Sequence, residues 1–173
     1  MKASIVVVTY NHAQFIDEAL KSVMDQKADF AFEVVVSEDA STDGTREIVK
    51  AWQGRYPETI RLVLSERNVR SNRVVARGFE AARGNYVALL DGDDFWTSPD
   101  KLARQVAMLD ADPGLSLCFT NAHVVDAAGE PTGQLWTPAA THHRLTLGDL
   151  WQGNPFPTCG SLFRRSCLPS VPA

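Results

Sequence analysis

Short apolar runs alternate with helix-period stretches along most of this chain, and that alternation restricts the folds open to it. Ala3 to Val8 is a continuous, mostly β-branched run, and Phe32 to Val36 is a second; both read as strands buried on two faces. Ile60 to Leu64, Tyr86 to Leu90 and Leu115 to Thr120 read as three more strands. Between the first two, Phe15, Ile16, Ala19, Leu20 and Val23 share one helical face, with Asn11 or His12 near its start. Ile48, Val49 and Trp52 mark a second helix after Asp43, and Val75, Phe79 and Ala82 a third that ends at Gly84. A fourth opens at Pro99, turns Leu102, Val106 and Leu109 inward and stops at Pro113-Gly114. This β-α-β-α order predicts an α/β fold with a mostly parallel sheet flanked by helices. Beyond the fifth strand, Val124-Val125 extends it or pairs with it before a turn at Ala128-Gly129. The pattern loosens after Pro131, leaving a short helix over Leu145 to Trp151 and a last strand over Thr158 to Phe163.

A chain of 173 residues suits one domain with a real core, spanning residues 1–173. Its 17 basic against 21 acidic residues give a net charge of -4, which argues against a nucleic-acid partner, since such binders carry a basic face. Cys118, Cys159 and Cys167 form no C-x-x-C pair; an odd count without framework spacing fits reduced thiols in a cytoplasmic protein, and Cys118 reads as core. The apolar run after Lys2 is too short for a signal peptide, and no stretch reaches the ~20 apolar residues of a membrane span. Peripheral association with the inner face of the cytoplasmic membrane is compatible with this.

Open parallel sheets bind ligands beyond the carboxyl ends of their strands. Three such ends carry ligand-type residues: Thr9-Tyr10-Asn11, then Glu38-Asp39-Ala40-Ser41-Thr42-Asp43-Gly44-Thr45, then Asp91-Gly92-Asp93-Asp94. Alone, the first is also a strand end with a helix cap, and the second a turn with an N-cap. The third is harder to explain as a turn, because three carboxylates in four residues repel unless a cation or hydrogen-bonding ligand joins them. A hard divalent ion carrying a phosphate ester suits them. Parallel strands would bring all three groups to one rim.

These residues resemble the family 2 glycosyltransferases of the GT-A fold. The resemblance rests on Ser4 to Asn11, Glu38 to Thr45 and Leu90 to Asp94, whose Asp91-Gly92-Asp93 is a D-x-D motif, with Ser98-Pro99-Asp100-Lys101-Leu102 in support. It covers roughly residues 3 to 165. It implies a nucleotide-diphospho-sugar donor (a UDP-sugar favoured), Mn²⁺ or Mg²⁺, inversion at the anomeric carbon, and a glycan, lipid or protein acceptor in polysaccharide biosynthesis. By position, Thr9, Tyr10 and Asn11 would lie against the nucleoside, with Glu38 beside them. Asp39 would accept from a uracil imide, Asp91 would face the ribose or metal-bound water, Gly92 would belong to the donor-nucleotide site, and Asp93 and Asp94 would hold the metal.

An inverting transferase also needs a base for the acceptor hydroxyl. The resemblance places it downstream of the strand at Thr158 to Arg165. Residues 168–173 contain no acid, so the base is expected beyond Ala173, the last residue of this sequence. The expectation is therefore a chain truncated on its acceptor side, binding donor and metal but transferring sugar poorly. Asp126, Glu130 and Asp149 are the remaining carboxylates to consider as a base. A non-catalytic nucleotide-binding module of the same fold is the alternative. Arg67, Arg70 and Arg73 are either a solvated loop or a diphosphate clamp; Trp96 packs the rim or lines the sugar site; Trp52 reads as core. Trp136 and Trp151 fit packing or acceptor contacts, and His142-His143 a surface turn.

Overall fold

The computed structural model describes residues 1–137, 144–151, 153 and 156–168. The pair His142-His143 lies outside them, and so does Ala173. Eight strands are described: β1 (Ala3–Thr9), β2 (Phe32–Glu38), β3 (Ile60–Leu64), β4 (Tyr86–Asp91), β5 (Leu117–Phe119), β6 (His123–Val125), β7 (Pro131–Leu135) and β8 (Ser161–Arg164). The helices are α1 (Ile16–Met24), α2 (Thr45–Arg55), α3 (Arg73–Ala81), α4 (Lys101–Ala111) and the short α5 (Leu147–Trp151).

The β-branched runs form the middle of a six-stranded sheet in the order β3-β2-β1-β4-β8-β5. β1 pairs in parallel with β2 and β4, and β2 with β3, as the crossover pattern requires. Alternation along the strands sorts the core into two layers. Ile5, Val7, Val34, Val36, Ala88 and Leu90 meet α1, α2 and α4; Val6, Val35, Val87 and Leu89 meet Val75, Phe79 and Ala82 around α3. The predicted inward faces are present: Ile16, Ala19, Leu20 and Val23 of α1 are buried, as are Leu102, Val106 and Leu109 of α4. Trp52 is core as expected and donates its indole N–H to Asp17 at 2.8 Å. Cys118 is buried as well.

Two features depart from expectation. β8 runs antiparallel and inserts between β4 and β5, with Ala88 opposite Leu162 and Leu162 opposite Cys118. Val124-Val125 neither extends nor pairs with β5; it lies in β6, which forms a separate hairpin with β7. Asp126 shapes the turn by accepting from the amides of Ala128 and Glu130, an Asx-type arrangement.

At the amino ends of the central strands, away from the candidate site, a buried network closes the sheet. Glu33 is fully buried and takes hydrogen bonds from Ser4 Oγ (2.7 Å), Arg83 N (2.7 Å), Arg83 Nη2 (2.8 Å) and Arg61 Nη1 (3.1 Å). Burial pushes its pKa up, but these donors outweigh it and hold the carboxyl below its ordinary range. Gly84 passes so close to β1 that a Cβ there would stand 2.5 Å from the Ser4 amide nitrogen. Arg164 of β8 caps α4 by donating to the carbonyl of Leu109 (2.8 Å) and also donates to Leu115 O (3.1 Å) beyond the helix, which joins the late strand to the helix beside it.

Candidate functional site

The register of the parallel ladder brings the three polar strand ends level. Thr9 stands opposite Glu38, and Val8 opposite Asp91. Two hydrogen bonds extend the pairing one residue past the strands: Asp39 N to Thr9 O (3.0 Å) and Gly92 N to Val8 O (2.8 Å). The chain then leaves all three strands on one rim, with Asp39 and the Asp91–Asp94 cluster on either side of the loop after β1.

The first two loops are clasped together. Asn11 N donates to Ser41 Oγ (2.9 Å), and Thr42 N donates back to Asn11 Oδ1 (2.9 Å). His12 N donates to Thr45 Oγ1 (2.9 Å) and Ala13 N to Asp43 Oδ2 (2.9 Å). The Ser-Thr-Asp-Gly-Thr segment thus serves as turn, helix start and clasp together. Asn11, Ala40 and Arg70, one in each of the first three rim loops, hold positive φ values of 55°, 61° and 48°. Such backbone is costly for residues other than glycine and persists where surroundings enforce it, often around functional sites.

Side-chain direction divides the expected site residues. Tyr10 is 42% exposed, Asn11 is exposed, and Asp93 retains half its side-chain exposure. Asp39 is nearly buried; both its carboxylate oxygens accept from Val69 N, at 3.0 and 3.1 Å, leaving lone pairs for a further donor. Thr9 and Glu38 turn inward instead. Thr9 is buried, with its hydroxyl against Gly92. Glu38 is fully buried and spends its carboxylate on Arg46, with Nε at 2.6 Å and Nη2 also in contact, and on the amide of Ser41. Arg46 also donates to Ser65 O, while Ser65 N donates to Glu38 O (2.9 Å). Glu38, expected beside the nucleotide, thus forms a bolt joining the loops after β2 and β3. Strand alternation explains both inward residues, since Thr9 follows Ile5 and Val7, and Glu38 follows Val34 and Val36, on the α1/α2 face.

The acid cluster is electrostatically tense. Burial, with Asp94 and Asp93 adding like charge, raises the Asp91 carboxyl to about 6. Burial raises Asp94 as well, against a hydrogen bond with the Cys159 thiol. Cys159 is pushed to about 12 by burial and the neighbouring acids. Gly92 permits this packing, because a Cβ there would lie 2.7 Å from Thr9 Oγ1 and 2.8 Å from His12 Nδ1. His12, legible in the sequence only as a helix start, contributes a ring whose Nε2 is 3.8 Å from Asp93 Oδ2. Behind the cluster, Trp96 is buried and donates to Cys159 O at 3.0 Å, so it packs the rim. Lys101 lies with its ammonium 4.1 Å from the Trp96 ring centre, donates to Gln105 Oε1 (2.7 Å), and is lowered to about 8 by burial.

Among the described residues, no three His, Cys, Asp or Glu side chains converge to cage a metal by themselves. Mn²⁺ or Mg²⁺ needs only one or two carboxylates when phosphate oxygens and water complete its shell. Mutually repelling acids around a half-exposed Asp93 fit an ion of that kind. Arg67 and Arg70 are exposed on the loop that carries Val69, and Arg73 is exposed at the start of α3. Trp136 and Trp151 are exposed, Trp151 to 90%. Ala173, beyond which the resemblance puts the catalytic base, falls outside the described residues. Within them, Asp126 and Asp149 are poor candidates for that role: the first holds its turn, and the second accepts from Thr146 N and Oγ1 (both 2.7 Å) at the start of α5. No described helix is long and apolar enough to cross a membrane.

The chain is 35% identical over 162 residues to an uncharacterised protein of Mycobacterium tuberculosis, covering 94% of this chain and 46% of the relative. It resembles the structure of Staphylococcus aureus TarS residues 1–349 in complex with UDP-GlcNAc, with a TM-score of 0.71, 27% identity, and coverage of 96% of this chain and 46% of the other. A mannosyltransferase of Pyrobaculum calidifontis, in complex with GDP-Man and Mn²⁺, matches at a TM-score of 0.61 and 32% identity over 67% of this chain and 34% of that one. The sheet and its helices are thus of the GT-A transferase type. This chain spans about half the length of the curated relatives it matches. The model of glycosyl transferase family 2 matches residues 4–170, nearly all of the strands and loops just described, and the chain belongs to that family.

Proposed function

We propose that this chain forms the donor-binding part of an inverting glycosyltransferase that takes a nucleotide-diphospho-sugar, a UDP-sugar by preference, together with Mn²⁺ or Mg²⁺. The observation that carries the reading is the single rim, where Asp39 and the Asp91–Asp94 cluster flank the loop of Tyr10 and Asn11. The UDP-GlcNAc bound by TarS and the GDP-Man and Mn²⁺ bound by the Pyrobaculum enzyme support the same class of donor.

In this reading Tyr10 and Asn11 border the nucleoside. Asp39 uses its spare lone pairs for a base N–H, its orientation fixed by Val69 N. Thr9 and Glu38 act from beneath, shaping the loops. Asp91 faces the ribose or bound water. Asp93 is the first choice as metal ligand, because Asp94 is turned toward Cys159. An ion held there would offset the charge left on the departing nucleotide diphosphate. The acceptor is a glycan, lipid or protein, and we assign no base among residues up to Ala173. Association with the cytoplasmic face of the membrane fits transfer to a growing envelope polysaccharide.

Calorimetric titration with UDP, TDP and GDP, with and without Mn²⁺, tests this reading. UDP should bind best and gain at least tenfold from Mn²⁺, and Asp93→Ala should lose that gain. Binding indifferent to Mn²⁺, and equal in parent and Asp93→Ala, would remove Asp93 from the metal role.

A further inference from the structure

We propose that His12 is a positioning residue for Asp93, itself oriented by the hydroxyl of Thr9; this rests on the metal-dependent reading above. Among the described residues, two buried side-chain polar atoms lack a hydrogen-bond partner: Thr9 Oγ1 and His12 Nδ1. They crowd one place, since the point where Gly92 would carry a Cβ lies 2.7 Å from the first and 2.8 Å from the second. A buried polar atom without a partner costs about 1–3 kcal/mol. Two of them together on the wall of the acid cluster point to a shared use.

The other ring nitrogen supplies that use. His12 Nε2 is 3.8 Å from Asp93 Oδ2, within ion-pair range though longer than a hydrogen bond. An ionised carboxylate only accepts, so the nitrogen facing it must carry the hydrogen. A neutral ring then leaves a bare lone pair at Nδ1, and the Thr9 hydroxyl is the nearby donor with no other use. The sequence Thr9 O–H to Nδ1, then Nε2–H to Asp93, satisfies both buried atoms and aims the carboxylate. Small side-chain shifts bring both links to hydrogen-bond length. The ring projects from pinned backbone: His12 N donates to Thr45 Oγ1 (2.9 Å), and His12 O accepts from Phe15 N and Ile16 N (both 2.9 Å). Partners that orient a metal's carboxylate in this way affect affinity about 10–100-fold.

The test compares the parent with His12→Leu, His12→Gln and Thr9→Val. Free Mn²⁺ is counted by electron paramagnetic resonance at saturating UDP, and UDP binding without metal and the melting temperature are followed beside it. His12→Leu should weaken Mn²⁺ about tenfold or more with metal-free UDP binding unchanged. His12→Gln, whose amide nitrogen can take the place of Nε2, should stay within about threefold of the parent. Nitrogen-15 spectra of the metal-free parent should show the Nε2–H tautomer of His12, and Thr9→Val should perturb the Nδ1 resonance. Equal weakening by Leu and Gln, an Nδ1–H tautomer, or a His12→Leu variant that binds Mn²⁺ like the parent would each overturn the inference alone. A parent that binds no Mn²⁺ with UDP would overturn the functional reading and this inference with it.

Discussion

Replacing Glu33 by Gln should destabilise the fold while sparing the nucleotide site, because the residue lies at the opposite end of β2 from the rim. The carboxylate receives Ser4 Oγ, the Arg83 amide and the guanidinium groups of Arg83 and Arg61. A glutamine keeps one acceptor oxygen. Its amide hydrogens must then face either the guanidinium donors or the Arg83 amide, so one side of the network becomes donor against donor. Charge-assisted hydrogen bonds are worth about 1.5–3 kcal/mol each. The side chains of Arg83 and Arg61 are 61% and 37% exposed and can turn to water, which discounts the loss. About 2–3 kcal/mol remains, or roughly 4–12 °C in melting temperature for a chain of this size. Thermal denaturation followed by circular dichroism at several pH values is the assay. The folded carboxyl titrates below its unfolded value of about 4.3, so its contribution is full at neutral pH. That contribution is lost as pH falls through the folded pKa, and the gap between parent and variant should narrow in acid. A gap under about 1 °C at pH 7, or one that widens on acidification, would refute the reasoning.

Asp91→Asn should act in two directions. The carboxyl is raised to about 6 from an unfolded value of about 3.9, so it costs the fold stability increasingly as pH rises between the two and fully above about 6. Asn should therefore stabilise the metal-free protein at pH 7 by about 1–2 kcal/mol, with the gain fading as pH falls below about 6 and gone below about 4, while weakening Mn²⁺-dependent UDP binding at least tenfold. Melting curves with and without Mn²⁺ and UDP check both halves. Thiol accessibility offers a further check. Cys118 and Cys159 are pushed to about 11 and 12 by burial, whereas Cys167 is exposed. A disulfide reagent at pH 8 should titrate one thiol quickly in the native protein and all three in denaturant.

Much of the centre of this fold is legible in sequence because its strands are covered on both faces. Ala3–Val8, Phe32–Val36 and Tyr86–Leu90 need no partner to be recognised, and the inward residues of α1 and α4 follow from helical period alone. The shared rim follows from parallel pairing. β8 is different: Ser161–Arg164 is short and half-buried, and its antiparallel place between β4 and β5 is set by pairing with residues 42 to 78 positions away. Local pattern carries no signal for that. In the site, the motif indicated which residues gather but not where they point. Counting alternate positions along β1 and β2 would have turned Thr9 and Glu38 inward. His12 offered no such cue, since its relation to Asp93 exists only once the ends of β1 and β4 are side by side.

The late insertion of β8 has a consequence for how the protein is made. β4 is complete at Asp91, yet the strand that covers its outer edge begins at Ser161, about 70 residues later. At ribosomal rates of roughly 5–20 residues per second, that edge waits several seconds with its amides and carbonyls unpaired. A nascent chain stalled in this interval would display an apolar strand ready to pair with any neighbour, which makes the stretch from Asp91 to Ser161 the window in which chaperone capture matters most to this protein.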